Sequence, residues 1–177
     1  MVAVKQTQNE YERAFESWLC EHRIVCSRVD QTHRYVLDGG SAKTFDYVVY
    51  PRSGGCVLVE LKGRIFEGDS LAGRRGLQCW VFDDDIRSLE QWQRRLSAAV
   101  EPTEAVFVFA YRLRLPFVDE DGLEVFDYGG QRYVFLAIRR QDYHKAMLRR
   151  SRRWHTVTCS AQAFRAFSFP AERLWDI

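Results

Sequence analysis

Hydrophobic positions along this chain follow two periods in turn. Over residues 8–22, Tyr11, Ala14, Phe15, Trp18 and Leu19 fall at i, i+3, i+4, i+7 and i+8, the stripe of an amphipathic helix. Residues 23–29 then read as a first strand, and 33–40 as a short strand closed by a turn at Gly39-Gly40. Two β-branched runs, about 44–50 and 56–62, flank Pro51-Arg52-Ser53-Gly54-Gly55 and predict a β-hairpin. Residues 63–76 are polar and glycine-bearing, which predicts a loop, and 77–82 have the length of a short strand. Ile86, Leu89, Trp92 and Leu96 predict a second helix, capped at its start by Asp84 or Asp85. Residues 105–111 are apolar throughout and short enough for a buried strand. Gly129-Gly130, between the runs 124–128 and 133–138, signals another hairpin. A helix at about 141–150, a strand at 154–158 and a short helix near 161–167 close the chain.

Helix, strands, helix, strand in that order predicts one α/β domain with a mixed sheet. The chain shows no internal repeat, low-complexity tract or linker, so all of 1–177 is read as one domain, the last strand and helix being additions to its core.

Composition narrows the class. A chain of 177 residues can bury a proper core, and 14% aromatic residues argue against disorder. A formal net charge of +2 says little about partners; the distribution says more. Basic residues gather between Arg139 and Arg153, and acids at Asp83-Asp84-Asp85 and Asp119-Glu120-Asp121. The five cysteines have neither zinc-ligand nor redox-pair spacing and read as small apolar residues in a reducing compartment. The four histidines form no ligand pattern. With no apolar leader and no run of membrane-spanning length, the expected location is the cytoplasm, with no membrane partner.

The predicted hairpin carries the candidate chemistry. Glu60 and Lys62 are two residues apart and share one face of a strand. A turn pivoting near Ser53 sets Asp46 opposite Glu60. Like charges facing each other across strands repel, and a divalent cation is the natural compensation. Magnesium binds through one or two carboxylates, water and substrate phosphate completing its shell. Asp46 and Glu60 supply the carboxylates, and the Leu61 backbone carbonyl offers a third oxygen. Lys62 can orient a water or meet charge on a phosphorane. This residue set suits phosphodiester hydrolysis. On the first helix, a wheel at about 100° per residue puts Glu12 at the edge of the apolar stripe, with Glu16 further toward solvent.

A helix bearing Tyr11-Glu12-Arg13, then Asp46 on one strand and Glu60-Leu61-Lys62 on the next, resembles the PD-(D/E)XK nuclease superfamily. It is most similar to the Holliday-junction-resolvase and restriction-endonuclease-like branch. The resemblance implies a mixed central sheet flanked by helices in αβββαβ order. It also implies Glu12, Asp46 and Glu60 as a metal site, with Lys62 the catalytic lysine. Magnesium, with manganese as its substitute, is the implied cofactor. DNA, branched or damaged forms included, is the implied substrate, and a homodimer the implied assembly. Tyr11-Glu12-Arg13-Ala14-Phe15-Glu16 further resembles the motif of the bacterial HYExAFE family, and the likeness extends through residues 60–63, Trp80-Val81, 105–111 and 150–157. The chain departs from that motif at Glu10, where the family has His, and it has Phe45 in place of the superfamily's proline before Asp46.

Arg64, Arg74 and Arg75 follow the Lys62 strand, and Arg149, Arg150, Arg152 and Arg153 lie on the expected helix 141–150 and its exit. Arginine suits bidentate phosphate contact, so both groups are expected to approach a nucleic-acid backbone. Trp154, next in line, is expected to pack. The leading expectation is magnesium-dependent hydrolysis of DNA. A nucleic-acid-binding module without turnover and a regulatory protein-binding domain are the alternatives.

Overall fold

Asn9 starts the first helix: its side-chain oxygen accepts from the Glu12 amide, and helix α1 runs Glu10–Glu21. In this computed structural model, which describes residues 8–31, 35–37 and 40–175, strands β1 (Val25–Arg28), β2 (Tyr35–Leu37), β3 (Gly40–Ala42), β4 (Tyr47–Tyr50) and β5 (Cys56–Phe66) follow. Next come β6 (Val81–Phe82), α2 (Asp83–Ser97), β7 (Thr103–Leu113), β8 (Phe126–Tyr128) and β9 (Gln131–Arg139). The chain ends through α3 (Arg140–Ala146), β10 (Leu148–Ser151), β11 (Thr156–Thr158), α4 (Ala161–Phe167) and β12 (Phe169–Pro170).

The central sheet has the order β1-β4-β5-β7-β9-β12, with β8 also beside β9. The β5–β7 pair is parallel and its other pairs antiparallel. Parallel neighbours need a crossover, and α2 lies within the one between β5 and β7. With the β2–β3 hairpin and the two-residue β6, which belongs to a separate small sheet, set aside, the elements as far as β7 run α-β-β-β-α-β.

Alternation along β5 and β7 divides the core. Leu58, Phe107, Phe109 and Tyr111 face Ile86 and Leu89 of α2, Tyr143 of α3 and Phe164 of α4. Val57, Val59, Val106, Val108 and Ala110 face Phe15, Trp18 and Leu19 of α1. Burial of β7 on both faces explains its unbroken apolar run. Each of Phe107 and Phe109, fully buried, stabilises the fold by roughly 2–3 kcal/mol. The molecule is therefore one α/β domain with a mixed sheet between helices. Among the described residues no helix is long and apolar enough to cross a membrane.

Three expected elements change. The segment 63–66 is strand rather than loop, because β5 pairs with β7 residue by residue as far as Phe66 opposite Leu113. Gly63 is compatible with that strand because the Tyr11 ring fills the place a Cβ would take. The strand expected over 77–82 shrinks to β6. The helix expected over 141–150 stops at Ala146, and β10, carrying Arg149 and Arg150, pairs with β11 in a small sheet of order β10-β11-β6. Of the strand expected over 33–40, residues 35–37 are β2; residues 33, 34, 38 and 39, with half of the Gly39-Gly40 turn, lie outside the described residues.

Candidate metal centre

The β4–β5 ladder pairs Tyr47 with Val59 and Val49 with Val57, a register that carries Asp46 opposite Glu60. The Asp46 amide still donates to the Val59 carbonyl, at 3.0 Å, and its own carbonyl accepts from Val29. Past that point the ladder opens and the Asp46 carboxylate closes the gap. Its Oδ2 accepts from the Leu61 amide at 2.5 Å, and its Oδ1 accepts from the Gln31 side chain. An extended residue directs its N–H and C=O to the same edge, so the Leu61 carbonyl also faces this opening.

Leu58, Glu60, Lys62 and Arg64 form one row on the face covered by α2. Lys62 Nζ donates to Glu60 Oε1 at 2.8 Å and to Asp85 Oδ2 at 2.6 Å. Asp85 is buried in the first turn of α2. It also accepts from the Phe82 amide (3.3 Å) and from Lys43 Nζ (3.2 Å). Lys43 in turn pairs with Asp84 at 3.4 Å.

Burial dominates the electrostatics of the carboxyls. It pushes Asp46 up to about 6, the Glu12 charge adding to the effect against the Leu61 amide, Lys62 and Gln31. It pushes Glu60 up to about 8, with Asp46 and Asp85 adding and Lys62 opposing. Burial disfavours the Lys62 ammonium, but Glu60 and Asp85 outweigh it and hold its pKa above the ordinary lysine range. Buried Asp46 and half-buried Glu60 thus face each other across the ladder, the Asp46 charge raising the energy of the Glu60 charge, a pairing that a divalent cation would relieve.

Glu12 approaches from the other face of the sheet. Its carboxylate accepts from Arg28 Nη2 at 2.9 Å and from Asn9 Nδ2 at 2.7 Å. Its charge is felt at Asp46 and at Tyr47, whereas Glu16 acts on Tyr47 and Cys26. Among the described residues, no three His, Cys, Asp or Glu side chains stand close enough together to hold a metal ion. The set brought together is Asp46 and Glu60 with the Leu61 carbonyl edge, and Glu12 stands apart in its ion pair. These oxygen donors fit a hard cation of the magnesium type, which takes one or two carboxylates and keeps water in its remaining positions.

Asp85, Gln31 and Lys43 are absent from the sequence-derived set. A signal for Asp85 was present: it precedes Leu89, Trp92 and Leu96 at i−4, i−7 and i−11, an acid on the apolar stripe. The Asp83-Asp84-Asp85 run, which suits any helix start, obscured it. Gln31, in a loop, carries no such signal.

The arginines divide into fixed and free. Arg64 is half-buried and donates to the carbonyls of Gly63 and Trp80, its guanidinium 4.0 Å from the Trp80 ring centre. It lies within β5 rather than in the loop expected for it. Arg74 donates to the Leu71 carbonyl and pairs with Asp121 at 3.4 Å; Arg75 is exposed. Arg149 pairs with Asp83 at 3.6 Å, and Arg150 lies 5.2 Å from the Trp80 ring. Arg152 and Arg153 occupy the turn between β10 and β11, and Trp154 beside them is 63% exposed instead of packed. Comparison with protein-family models and with curated proteins found no match for this chain.

Proposed function

We propose that the chain is a magnesium-dependent nuclease acting on DNA, with a core of the restriction-endonuclease-like PD-(D/E)XK class. The observation that carries the reading is Asp46 facing Glu60 across the ladder, with Lys62 bonded beside it. The α-β-β-β-α-β order, with the last strand parallel to the third, supports the fold class.

Asp46, Glu60 and the Leu61 carbonyl are the groups that would hold magnesium. The ion supplies Lewis-acid polarisation of a phosphoryl oxygen and a lowered pKa for a bound water. The remaining work falls to the chain itself. Lys62 has three N–H donors, two engaged by Glu60 and Asp85. The third is available to an attacking water or a phosphoryl oxygen. Because its pKa is raised, Lys62 stays protonated at neutral pH and acts as a cationic donor rather than a base. Gln31 and the Leu61 amide hold the Asp46 carboxylate in one orientation.

Cleavage assays on supercoiled, linear, single-stranded and branched DNA, with magnesium, manganese or chelator, test the reading. Metal-dependent cleavage that vanishes in Glu60→Ala and Lys62→Ala is the expected result; equal cleavage by those variants overturns it. The Glu12–Arg28 ion pair favours a second reading, binding of nucleic acid without turnover. Metal-independent binding, unchanged in Lys62→Ala and without cleavage of any substrate, would select it.

A further inference from the structure

We infer that the β10–β11 hairpin and Phe82 form a grip for single-stranded DNA, Trp154 and Phe82 stacking on unpaired bases while Arg152 and Arg153 hold phosphates. The inference rests on the nucleic-acid reading above and names the form of substrate that the site receives.

Four observations converge. Trp154 at 63% and Phe82 at 39% are exposed aromatic rings. A buried Trp would need no further explanation, but an exposed one flanked by arginines offers a π-face to a planar, anionic partner. Among the described residues, Arg152 and Arg153 make no ion pair, so their charges are free for phosphate; the Arg153 guanidinium lies 5.1 Å from the Trp154 ring. The β10 ladder shifts register between Arg149 and Ser151, a bulge that sets Arg150 out of the pairing pattern and beside Trp80.

The hairpin is also tied to the candidate centre by two routes. The Phe82 amide donates to Asp85, which binds Lys62, and Phe82 pairs with Thr156 of β11. Arg64, two residues beyond Lys62 on the same face, stacks on Trp80, and Arg150 lies against that ring too. The hairpin is thereby joined to Lys62 through Asp85 and to Arg64 through Trp80. Stacking is open to any unpaired base and closed to a base inside a duplex, so the preference should be for single strands.

Fluorescence anisotropy in chelator, with a labelled single-stranded oligonucleotide and the duplex of equal length, tests this. The parent should prefer the single strand. Trp154→Ala should weaken single-strand binding about 10-fold and duplex binding little, with thermal stability unchanged. Trp154→Phe should restore most of the loss. Arg152→Ala with Arg153→Ala should weaken both forms and lower the salt dependence by about two counterions. Equal affinity of the parent for both forms, no oligonucleotide binding by the parent, or parental affinity in Trp154→Ala would each overturn the grip. Cleavage is scored separately. Loss of single-strand binding in Trp154→Ala without metal-dependent cleavage by the parent would keep the grip and reject the nuclease. Cleavage by the parent with normal binding by Trp154→Ala would do the reverse.

Discussion

Lys62 Nζ lies 2.6 Å from Asp85 Oδ2, joining the strand that carries the candidate chemistry to the helix that covers it. The bond turns the lysine from a flexible cation into a fixed one. It also couples α2 to the candidate metal-binding edge of β5.

Asp85→Asn should therefore impair turnover through Lys62, lowering kcat while leaving KM nearly unchanged. Asp85→Ala leaves Lys62 with Glu60 as its remaining partner and removes a charge-assisted hydrogen bond, so it should cost about 2 kcal/mol of stability. A double-mutant cycle with Lys62→Ala should return a coupling of about 1–3 kcal/mol. Additive losses by denaturant unfolding would show that the contact carries no energy.

The raised carboxyls set a pH dependence in metal-free protein. Glu60 titrates near 8 in the folded chain and at an ordinary carboxyl value when unfolded. Between those values the folded state binds the extra proton, so the contribution is full at low pH, declines as pH rises and is gone above about 8. Asp46, near 6, adds in the same direction over a narrower window. Melting temperature in chelator should fall across this range, and Glu60→Gln should flatten the fall.

Metal binding needs both carboxylates ionised and so competes with those protons. The gain in melting temperature on adding magnesium should be larger at pH 8.5 than at pH 6, and Asp46→Asn should abolish it. A gain independent of pH would place the ion elsewhere.

Gly63 should prove intolerant of a side chain. A Cβ there would clash with Cδ2 of the Tyr11 ring, so Gly63→Ala should push the ring and α1 away from β5, at a cost of about 1–3 kcal/mol. Because Glu12 adjoins Tyr11, the displacement should also reduce metal-dependent cleavage. Tyr11→Ala should restore stability to Gly63→Ala by vacating the space.

Glu12 and Glu16 should differ in function. Glu12 acts electrostatically on Asp46, whereas Glu16 acts on Tyr47 and Cys26. Glu12→Gln should lower cleavage at least 10-fold at limiting magnesium, on the order of 1.4 kcal/mol. Glu16→Gln should leave it near the parental rate.

Much of the fold was legible because its signals are local. The stripe from Tyr11 to Leu19 is α1, the runs around Pro51–Gly55 form the β4–β5 hairpin, and helix α4 occupies the expected span after a Ser160 cap. The Asp46–Glu60 register was equally readable, since the turn alone sets it. The 63–66 extension of β5 and the β10–β11 pairing were not. The first depends on β7, a partner distant along the chain; the second is local, but an arginine-rich stretch such as 148–153 has no periodicity that separates strand from helix.

Residue order alone determined which groups could share a face: Glu60 with Lys62 by strand period, Asp46 with Glu60 by hairpin symmetry, Glu12 at the edge of a helical stripe. Tertiary packing decided which of them meet and in what state. It brought Asp85 to Lys62 from a helix beyond the hairpin, paired Glu12 with Arg28, and stacked Arg64 on Trp80. It also left Trp154 in solvent. The reason is physical: spacing governs direction along one element, whereas distance, burial and charge between elements arise only when the sheet and its helices close around a shared core.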